Sequence, residues 1–416
     1  MRPLPLIALA LLLSPLQSCA SHPECALGEY ESAECRVVAE NHYARVLTSH
    51  GVEVRFQADD AVDASSWDAL GLVQEVESGV VRLRPAALMG FRVSFVPRDT
   101  ERRSLHVIVD NIAPDMLVSL GPDGQLQPQP NPGDGLLRRE FDLVMVDGAT
   151  IWMRGARPCP PAYRIAVAAD IQTNPLQFER ILQDLHQQVD DAEAAGEPLL
   201  GLLLLGDLAE EAADDEFLRI DELLVSSPVP VSVTAGNHDK AGDEFARFNR
   251  YFGPGTFAFD VCRTHVVLMD TADGAIAPSI EARLPQLFDK GSMEHLIFGT
   301  HYVIYPDRTG QGLRDEDQSW YILGELVRAG VDRLMTGHAH YWKEYPAITI
   351  GDGTIHEIIT GTGGASQGEG HPRYGVTRLS FNDEGVDSCF HEVPVPGTEQ
   401  PGQGPTTDTI DFCTTD

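Results

Sequence analysis

The residues best suited to chemistry in this 416-residue chain lie in five short polar motifs between residues 170 and 340. Carboxylates, one amide and several imidazoles dominate these motifs, and such oxygen and nitrogen donors suit Mn, Fe or Zn. Metal-assisted chemistry is therefore the first hypothesis. In chain order, the motifs are Asp170-Ile171-Gln172, Gly206-Asp207, Gly236-Asn237-His238-Asp239, Thr300-His301 and Gly337-His338-Ala339-His340.

A short apolar run precedes each motif, and such runs predict buried strands. Apolar residues at helical spacing lie between the runs, as in 178–189, 217–224 and 320–327, so the pattern is α/β. In α/β sheets, loops at the carboxyl ends of strands build the site, which would bring the five motifs together. The predicted strands are 165–169, 199–205, 230–235, 296–299 and 333–336.

The five motifs, in this order, resemble the signature of the calcineurin-like metallophosphoesterase superfamily, which runs DxH, GDxx, GNHD or GNHE, a lone His and then GHxH. The resemblance covers about residues 163–385 and includes the glycine-rich run 361–364. It implies an α/β, layered fold in which a β-sandwich flanked by helices carries two metal ions, Fe, Mn or Zn, at one edge. It also implies hydrolysis of a phosphomonoester or phosphodiester by metal-activated water.

The resemblance further implies a role for each matching residue. Asp207 corresponds to the carboxylate that bridges both metals. His238 corresponds to the histidine that contacts phosphate and assists the leaving group, and Asp239 to the residue that orients it. The remaining ligands would be Asp170 and His340 for the first metal, and Asn237, His301 and His338 for the second.

Position 172 departs from the family pattern, because Gln172 stands where the family has the histidine of DxH. Three interpretations stay open. The Gln172 amide oxygen ligates weakly, Glu210 replaces the missing ligand, or the first site fills only when substrate binds. Glu210 also begins an acidic run, residues 210–216, that is typical of a solvated helix start.

Other polar residues near the motifs have simpler interpretations. His371 follows the glycine-rich run and is predicted to be a loop histidine, or else part of the substrate rim. Tyr302 and Tyr305 follow His301 and are predicted to pack. The glycines of residues 361–364 would either cradle phosphate with backbone N–H groups or form a turn that needs positive φ.

The N-terminus resembles a bacterial export signal. Arg2 supplies a positive charge, and residues 4–16 form an apolar run too short to span a bilayer. Leu16-Gln17-Ser18-Cys19 resembles a lipobox, whose cysteine becomes the lipidated first residue of the mature chain. The prediction is a cell-envelope lipoprotein, in the periplasm or at the outer membrane or cell surface, held to the membrane by lipid alone. An ordinary cleaved signal is the alternative.

Cysteine usage agrees with export. Seven cysteines are present, and six remain when Cys19 carries lipid. An even number in an exported chain predicts disulfides. Sequence proximity favours the pairs Cys25–Cys35 and Cys389–Cys413, which leaves Cys159–Cys262.

Residues 36–158 differ from the rest, since apolar alternation at 52–56 and 91–95, with turn signals between, predicts an all-β, sandwich-like domain. A β-domain before the catalytic domain also resembles the arrangement of purple acid phosphatases. The predicted division is a signal peptide 1–18, an anchor and linker 19–35, the β-domain 36–158, the phosphoesterase domain 163–392 and a tail 393–416.

The formal charge of −33 excludes a nucleic-acid binder that works through a general basic surface. It also disfavours a nuclease, because a polyanionic substrate would be repelled. The expected partner is a phosphoester substrate, and the oligomeric state stays open. The alternative to a dinuclear phosphatase or phosphodiesterase is a weak pseudoenzyme, a surface lipoprotein that keeps the fold for recognition through residues 36–158. Gln172 is its support in the sequence.

Overall fold

The computed structural model describes residues 33–57, 70–122, 125–129, 137–240, 247–306, 310–367 and 373–394. The signal peptide, Cys19, Cys25, His371 and Cys413 lie outside the described residues, so what was expected of them stays a prediction. Within the described ranges, no helix combines the length and the apolar composition needed to cross a bilayer.

The first described element is a helix, α1, which spans Ala33–Tyr43. The sequence predicted all-β structure from residue 36, and the helix corrects that boundary. It lacks a plain apolar stripe because it buries two charged side chains, Arg36 and Glu40, beside Cys35 and Ala39. The periodicity of apolar residues therefore does not reveal it.

A β-sandwich follows the helix, in keeping with the predicted character of this part of the chain. Apolar residues of both sheets meet in one core that contains Val54, Phe95 and Val107. Its strands are β1 (Arg45–Leu47), β2 (Val52–Phe56), β3 (Gly71–Glu77), β4 (Val80–Pro85), β5 (Gly90–Pro97), β6 (Arg103–Asp110), β7 (Leu117–Gly121), β8 (Gln127–Pro128), β9 (Arg138–Met145) and β10 (Ile151–Ala156). They pair in the orders β1-β2-β5-β10-β7-β8 and β3-β4-β6-β9.

The second domain contains two larger sheets. Its strands are β11 (Tyr163–Ala168), β12 (Leu199–Leu205), β13 (Val231–Thr234), β14 (Phe257–Val261), β15 (Thr264–Met269), β16 (His295–Thr300), β17 (Arg333–Thr336), β18 (Trp342–Glu344), β19 (Ile348–Ile350), β20 (Gly353–Ile355), β21 (Glu357–Thr360), β22 (Gly375–Asn382) and β23 (Gly385–Glu392). One sheet has the order β13-β12-β11-β22-β23, and the other β14-β15-β16-β17-β21-β18. Strands β19 and β20 form a separate hairpin.

Helices cover the outer faces of these two sheets. Between the sheets lies an inner core that contains Val167, Leu205 and Ile297. Leu202 and Leu204 point the other way, toward the helices, which explains why β12 is apolar at every position. The layered α/β class, with a β-sandwich flanked by helices, is thus confirmed. The helices are α2 (Pro175–Ala194), α3 (Asp214–Val225), α4 (Arg247–Phe252), α5 (Pro278–Glu281), α6 (Leu284–Leu287) and α7 (Glu316–Ala329).

Buried charges join α1 to the second domain. Arg36 is 1% exposed and forms ion pairs with Asp270 and Asp273. One oxygen of Glu40 accepts hydrogen bonds from two backbone N–H groups, at 2.7 and 3.3 Å, and the other has no hydrogen-bond partner among the described residues. Burial, followed by the negative charge of Asp270, raises the pKa of Glu40 to about 8.

The raised pKa of Glu40 makes stability depend on pH. Because the folded protein keeps a proton that the unfolded chain releases near pH 4.5, stability should fall as the pH rises from there through 8. We expect Glu40→Gln to be neutral at pH 5 and to stabilise the protein by roughly 2–4 kcal/mol at pH 9. Urea unfolding at both values measures this, with the exposed Glu193→Gln as control. Equal effects of Glu40→Gln at the two pH values would contradict it.

The cysteines agree only in part with the expected pairing. Cys35 and Cys389 are disulfide-bonded, but the partners expected for them lie outside the described residues. Cys159 and Cys262 are free thiols, which corrects the expectation of a third bridge. Their side chains share a hydrogen bond, and burial raises the pKa of the Cys262 thiol. A protonated thiol is a poor nucleophile for disulfide exchange, so contact alone does not oxidise the pair.

Candidate metal centre

Each polar motif follows the carboxyl end of a strand, as the α/β pattern predicted. Three strands of the first sheet and two strands of the second end at the same edge of the sandwich, where the loops that follow them meet. Strands β11, β12 and β13 lead to Asp170, Asp207 and Asn237, and strands β16 and β17 lead to His301 and to the pair His338 and His340.

Four of these residues have a left-handed backbone, which side chains other than glycine rarely adopt. The φ angles are 62° for Asp170, 53° for Asp207, 66° for His338 and 52° for His340. Among the described non-glycine residues, only eight have positive φ, so the metal motifs contain half of them. Strained backbone of this kind concentrates at functional sites.

The candidate ligands form two overlapping groups that share Asp207. Within each group, the possible ligand atoms lie within 4.8 Å of one another. One group is Asp170, Asp207 and His340, and the other is Asp207, His301 and His338. Asn237 extends the second group, since its Oδ1 lies 3.1 Å from His301 Nε2. The structure thus brings together the six residues that the family resemblance implied as ligands.

Backbone carbonyls orient two of the imidazoles. His301 Nδ1 donates to the carbonyl of Leu205 at 2.8 Å, and His340 Nδ1 donates to the carbonyl of Ser366 at 3.0 Å. The Nε2 atoms then face carboxylate oxygens of the cluster, at 3.3 and 3.5 Å. Such bonds fix the tautomer of a metal-binding histidine. Sequence reasoning missed these partners because they are main-chain atoms, which have no residue-type signal.

Two buried oxygens indicate that the cluster fits metal ions. Gln172 Oε1 has no hydrogen-bond partner among the described residues, and Asp207 Oδ2 has only an ion-pair contact with His301 Nε2, at 3.3 Å. Leaving such an atom unpaired costs about 1–3 kcal/mol, which a coordinated cation would offset. The Gln172 backbone N–H donates to the Asp207 carbonyl at 3.0 Å, so residue 172 lies beside the shared carboxylate. The unpaired amide oxygen is consistent with weak ligation by Gln172.

Burial and the close approach of several charged groups shift the pKa values of the cluster strongly. Burial raises the pKa of Asp170 to about 6, and burial together with Asp207 raises that of Asp239 to about 7. Burial also disfavours the charge on His301, yet the Asp207 carboxylate outweighs it and raises the pKa to about 9. Burial, then the positive charge of His301, lowers the pKa of His338 to about 4. Bound cations would relieve this competition for protons.

His238 lies at the rim of the cluster with an oriented ring. Its Nδ1 donates to the backbone carbonyl of Glu210 at 2.8 Å, which leaves Nε2 for a substrate. Asp239 was expected to orient this ring. Its carboxylate instead accepts three backbone N–H bonds, at 2.8 to 3.0 Å, from the loops that carry Asp207 and Asn237. Asp239 therefore links the loop that carries Asp207 to the loop that carries Asn237, and the Glu210 carbonyl orients His238.

The Glu210 carboxylate does not belong to either ligand group. Its Oε2 is buried without a hydrogen-bond partner among the described residues and lies 3.8 Å from His238 Nδ1. Burial opposes the charge on His238, but the Asp207 carboxylate, followed by the carbonyl and carboxylate of Glu210, raises the pKa of its imidazole. Glu210 thus supports the protonated imidazole and does not replace the ligand missing at position 172.

Two positions beside the candidate ligands must be glycine, because carboxylate oxygens lie too close for a Cβ atom. A Cβ atom on Gly236 would lie 2.2 Å from Asp207 Oδ1, and one on Gly361 would lie 2.7 Å from Asp170 Oδ2. The glycines of residues 361–364 do not have positive φ, which corrects the turn interpretation. The N–H of Gly363 is taken by the Ala169 carbonyl, at 2.7 Å, and is not directed at a phosphate.

Tyr302 is closer to the cluster than simple packing requires. Its ring stacks on His338, with ring centres 4.1 Å apart and 28° between the planes. Tyr305 lies farther along the loop and packs edge-on against Trp320 at 5.6 Å. The prediction of packing therefore holds for Tyr305, whereas Tyr302 contacts a member of the second ligand group directly.

Comparison with known proteins finds a family model that matches part of the chain. Residues 163–342 match the family model described as Calcineurin-like phosphoesterase. Among solved structures, the chain is similar to a purple acid phosphatase from yellow lupin (Lupinus luteus) seeds, with 15% identity, 74% of this chain and 70% of that chain covered, and a TM-score of 0.48. PhoD gives 10% identity, 74% and 85% coverage and a TM-score of 0.43. No curated protein matches the sequence.

A third similar structure is a dimetal phosphatase from Danio rerio, with 13% identity, 56% of this chain and 96% of that chain covered, and a TM-score of 0.40. The family match lies on the two-sheet domain and ends just after the last histidine motif. Residues 163–342 therefore form a calcineurin-like phosphoesterase domain. The activity of this domain class is metal-dependent phosphoester hydrolysis.

Proposed function

We propose that the protein is an exported, lipid-anchored phosphoesterase with a dinuclear metal centre, which hydrolyses a phosphomonoester or phosphodiester. The dinuclear centre in this proposal rests on one observation, the sharing of Asp207 between two ligand groups. One carboxylate has two oxygens and can serve two cations at once. When bound, the two ions would polarise the phosphoryl oxygens and lower the pKa of an attacking water.

The chain's own residues have separable tasks in this proposal. The groups Asp170, Asp207, His340 and Asn237, Asp207, His301, His338 would hold the two ions. His238 contacts the phosphoryl group through Nε2 and transfers a proton to the leaving oxygen, as a general acid does. Glu210 holds that imidazole through its carbonyl. The nucleophile is water, so a serine or cysteine nucleophile is not required.

Metal analysis of purified protein, with a panel of monoester and diester substrates, tests the proposal. Two equivalents of Mn, Fe or Zn and turnover of at least one ester are expected. At most one bound metal would reject the dinuclear centre. Two bound metals without turnover of any ester would favour the pseudoenzyme, a surface lipoprotein with a binding role, instead.

Lipid attachment at Cys19 is a separate prediction. A lipobox-like run ends the apolar segment, and the following Ala20 is not the Asp that retains many lipoproteins at the inner membrane. We expect the native protein to begin at a lipid-modified Cys19 and Cys19→Ser to remain unprocessed. Mass spectrometry of the N-terminal peptide decides it. An unmodified start at any other residue would exclude the anchor.

A further inference from the structure

The loop after β13, residues 235–240, carries Asn237 and His238 and is called the metal loop below. It begins at an edge strand. Strand β13 lies at the end of its sheet, with β12 on one side. The Pro230 carbonyl accepts from Leu202 of β12, so the N–H and C=O of the next residue, Val231, point away from the sheet. From Val231 the chain reaches Asn237 in six residues. A group that hydrogen-bonds to the free edge of β13 therefore also fixes the start of this loop.

The N-terminal β-sandwich supplies that partner through Asn111. The Asn111 side chain accepts from Val231 N at 2.7 Å and donates to Val231 O at 2.9 Å, as a neighbouring strand would. Arg84 Nη2 also donates to Val231 O, at 3.0 Å, and Ser232 Oγ donates to the Ala86 carbonyl at 2.5 Å. Asn111 is 7% exposed and Arg84 is 2% exposed, so water does not compete for these bonds.

The far end of the same segment is held by helix α1. Lys240, which follows Asp239 directly, forms an ion pair with Asp273. The other oxygen of Asp273 accepts from Arg36 Nη1 at 3.1 Å. Residues of the N-terminal part thus fix the segment 231–240 at its start directly and at its end through Asp273.

We propose that the N-terminal part of the chain, residues 33–156, positions the metal loop, with Asn111 and the Lys240–Asp273–Arg36 chain as its contacts. In this role the β-sandwich is not an independent binding module. It keeps Asn237 and His238 in the geometry that the second metal and the phosphoryl group need. The positional part of this inference stands on hydrogen bonds alone, and only its metal-binding consequence rests on the proposed function.

A pair of asparagine variants tests it. Asn111→Ala removes the bonds to β13. Asn382→Ala removes an asparagine that accepts two backbone N–H bonds, at 2.8 and 3.2 Å, in the hairpin at the opposite end of the same sheet. Two quantities are measured for each protein: hydrogen exchange of peptides within 231–240 in metal-free protein, and the dissociation constant for Mn²⁺.

We expect Asn111→Ala to speed exchange across 235–240 and to weaken Mn²⁺ binding by roughly 10-fold or more, as loss of a supporting hydrogen bond does. Asn382→Ala should leave both values as in the wild type. Equal changes in the two variants, or unchanged Mn²⁺ affinity with Asn111→Ala, would overturn the inference. If the wild-type protein binds none of Mn²⁺, Fe²⁺ and Zn²⁺, the proposed function fails, and hydrogen exchange still decides the positional role.

A second variant covers the case in which Asn111→Ala does not fold. Lys240→Gln removes the positive charge at the segment's other end and keeps a polar side chain there. Faster exchange within 237–240 and weaker Mn²⁺ binding are expected, with the unfolding temperature nearly unchanged because Arg36 still pairs with Asp273. Wild-type exchange and affinity in Lys240→Gln would overturn the role of that contact.

Discussion

Asp207→Asn is expected to reduce kcat by about 10³-fold or more, the equivalent of roughly 4 kcal/mol of activation free energy. Asp207 belongs to both ligand groups, so neutralising it removes charge from each of them. Gln172→Ala should have a far smaller effect, since a neutral amide offers one weak oxygen ligand. Gln172→His should tighten the first metal site and keep turnover, because imidazole is the stronger ligand.

Initial rates against added Mn²⁺ or Zn²⁺ compare the three variants. The exposed Asp387→Asn provides a control for the loss of one negative charge. Gln172→Ala is expected to need more metal for half-maximal activity. Near-full activity of Asp207→Asn would reject the dinuclear centre. A Gln172→Ala variant as inactive as Asp207→Asn would make Gln172 a full ligand rather than a weak one.

His238→Gln is the second variant with a large expected effect. If His238 protonates the leaving oxygen, its loss should cost about 10²- to 10⁴-fold with a poor leaving group such as an alkyl alcohol. An aryl ester such as p-nitrophenyl phosphate needs little protonation, so its hydrolysis should decline much less. The ratio of the two losses separates proton transfer from simple binding of phosphate.

The measurement is kcat/KM for an alkyl and an aryl phosphate with wild type, His238→Gln and the surface variant His186→Gln. His186 is an exposed histidine on α2 and should tolerate the change. Metal content is measured in parallel, because His238 is not expected to be a ligand. Equal losses with both esters would assign His238 to phosphate binding alone. Loss of metal in His238→Gln would place it among the ligands.

Much of the catalytic fold was predictable because its strands are buried on both faces. The predicted strand 199–205 coincides with β12, since a continuous apolar run marks such a strand clearly. The predicted strand 333–336 coincides with β17, whose last three residues are buried. The ordered motifs at the strand ends then predicted which side chains meet. Helix α1 was not predictable, because it buries Arg36 and Glu40 instead of an apolar stripe.

The contacts that orient the site were also beyond the sequence. The carbonyls of Leu205, Glu210 and Ser366 fix three imidazoles, and a carbonyl is common to every residue type. Asp239 was assigned to His238 by resemblance, yet its oxygens are occupied by main-chain N–H groups. Which of two nearby acceptors a histidine uses depends on loop geometry, and loop geometry depends on long-range packing.

The left-handed backbone at Asp170, Asp207, His338 and His340 has a consequence for protein engineering. Each position would be relaxed by glycine or asparagine, so a library selected for heat resistance alone would enrich those replacements there. The same replacements would remove ligand atoms from the two groups. Selection for stability and selection for turnover should therefore favour opposite residues at these four sites, and a thermostable variant should be sought with all four held constant.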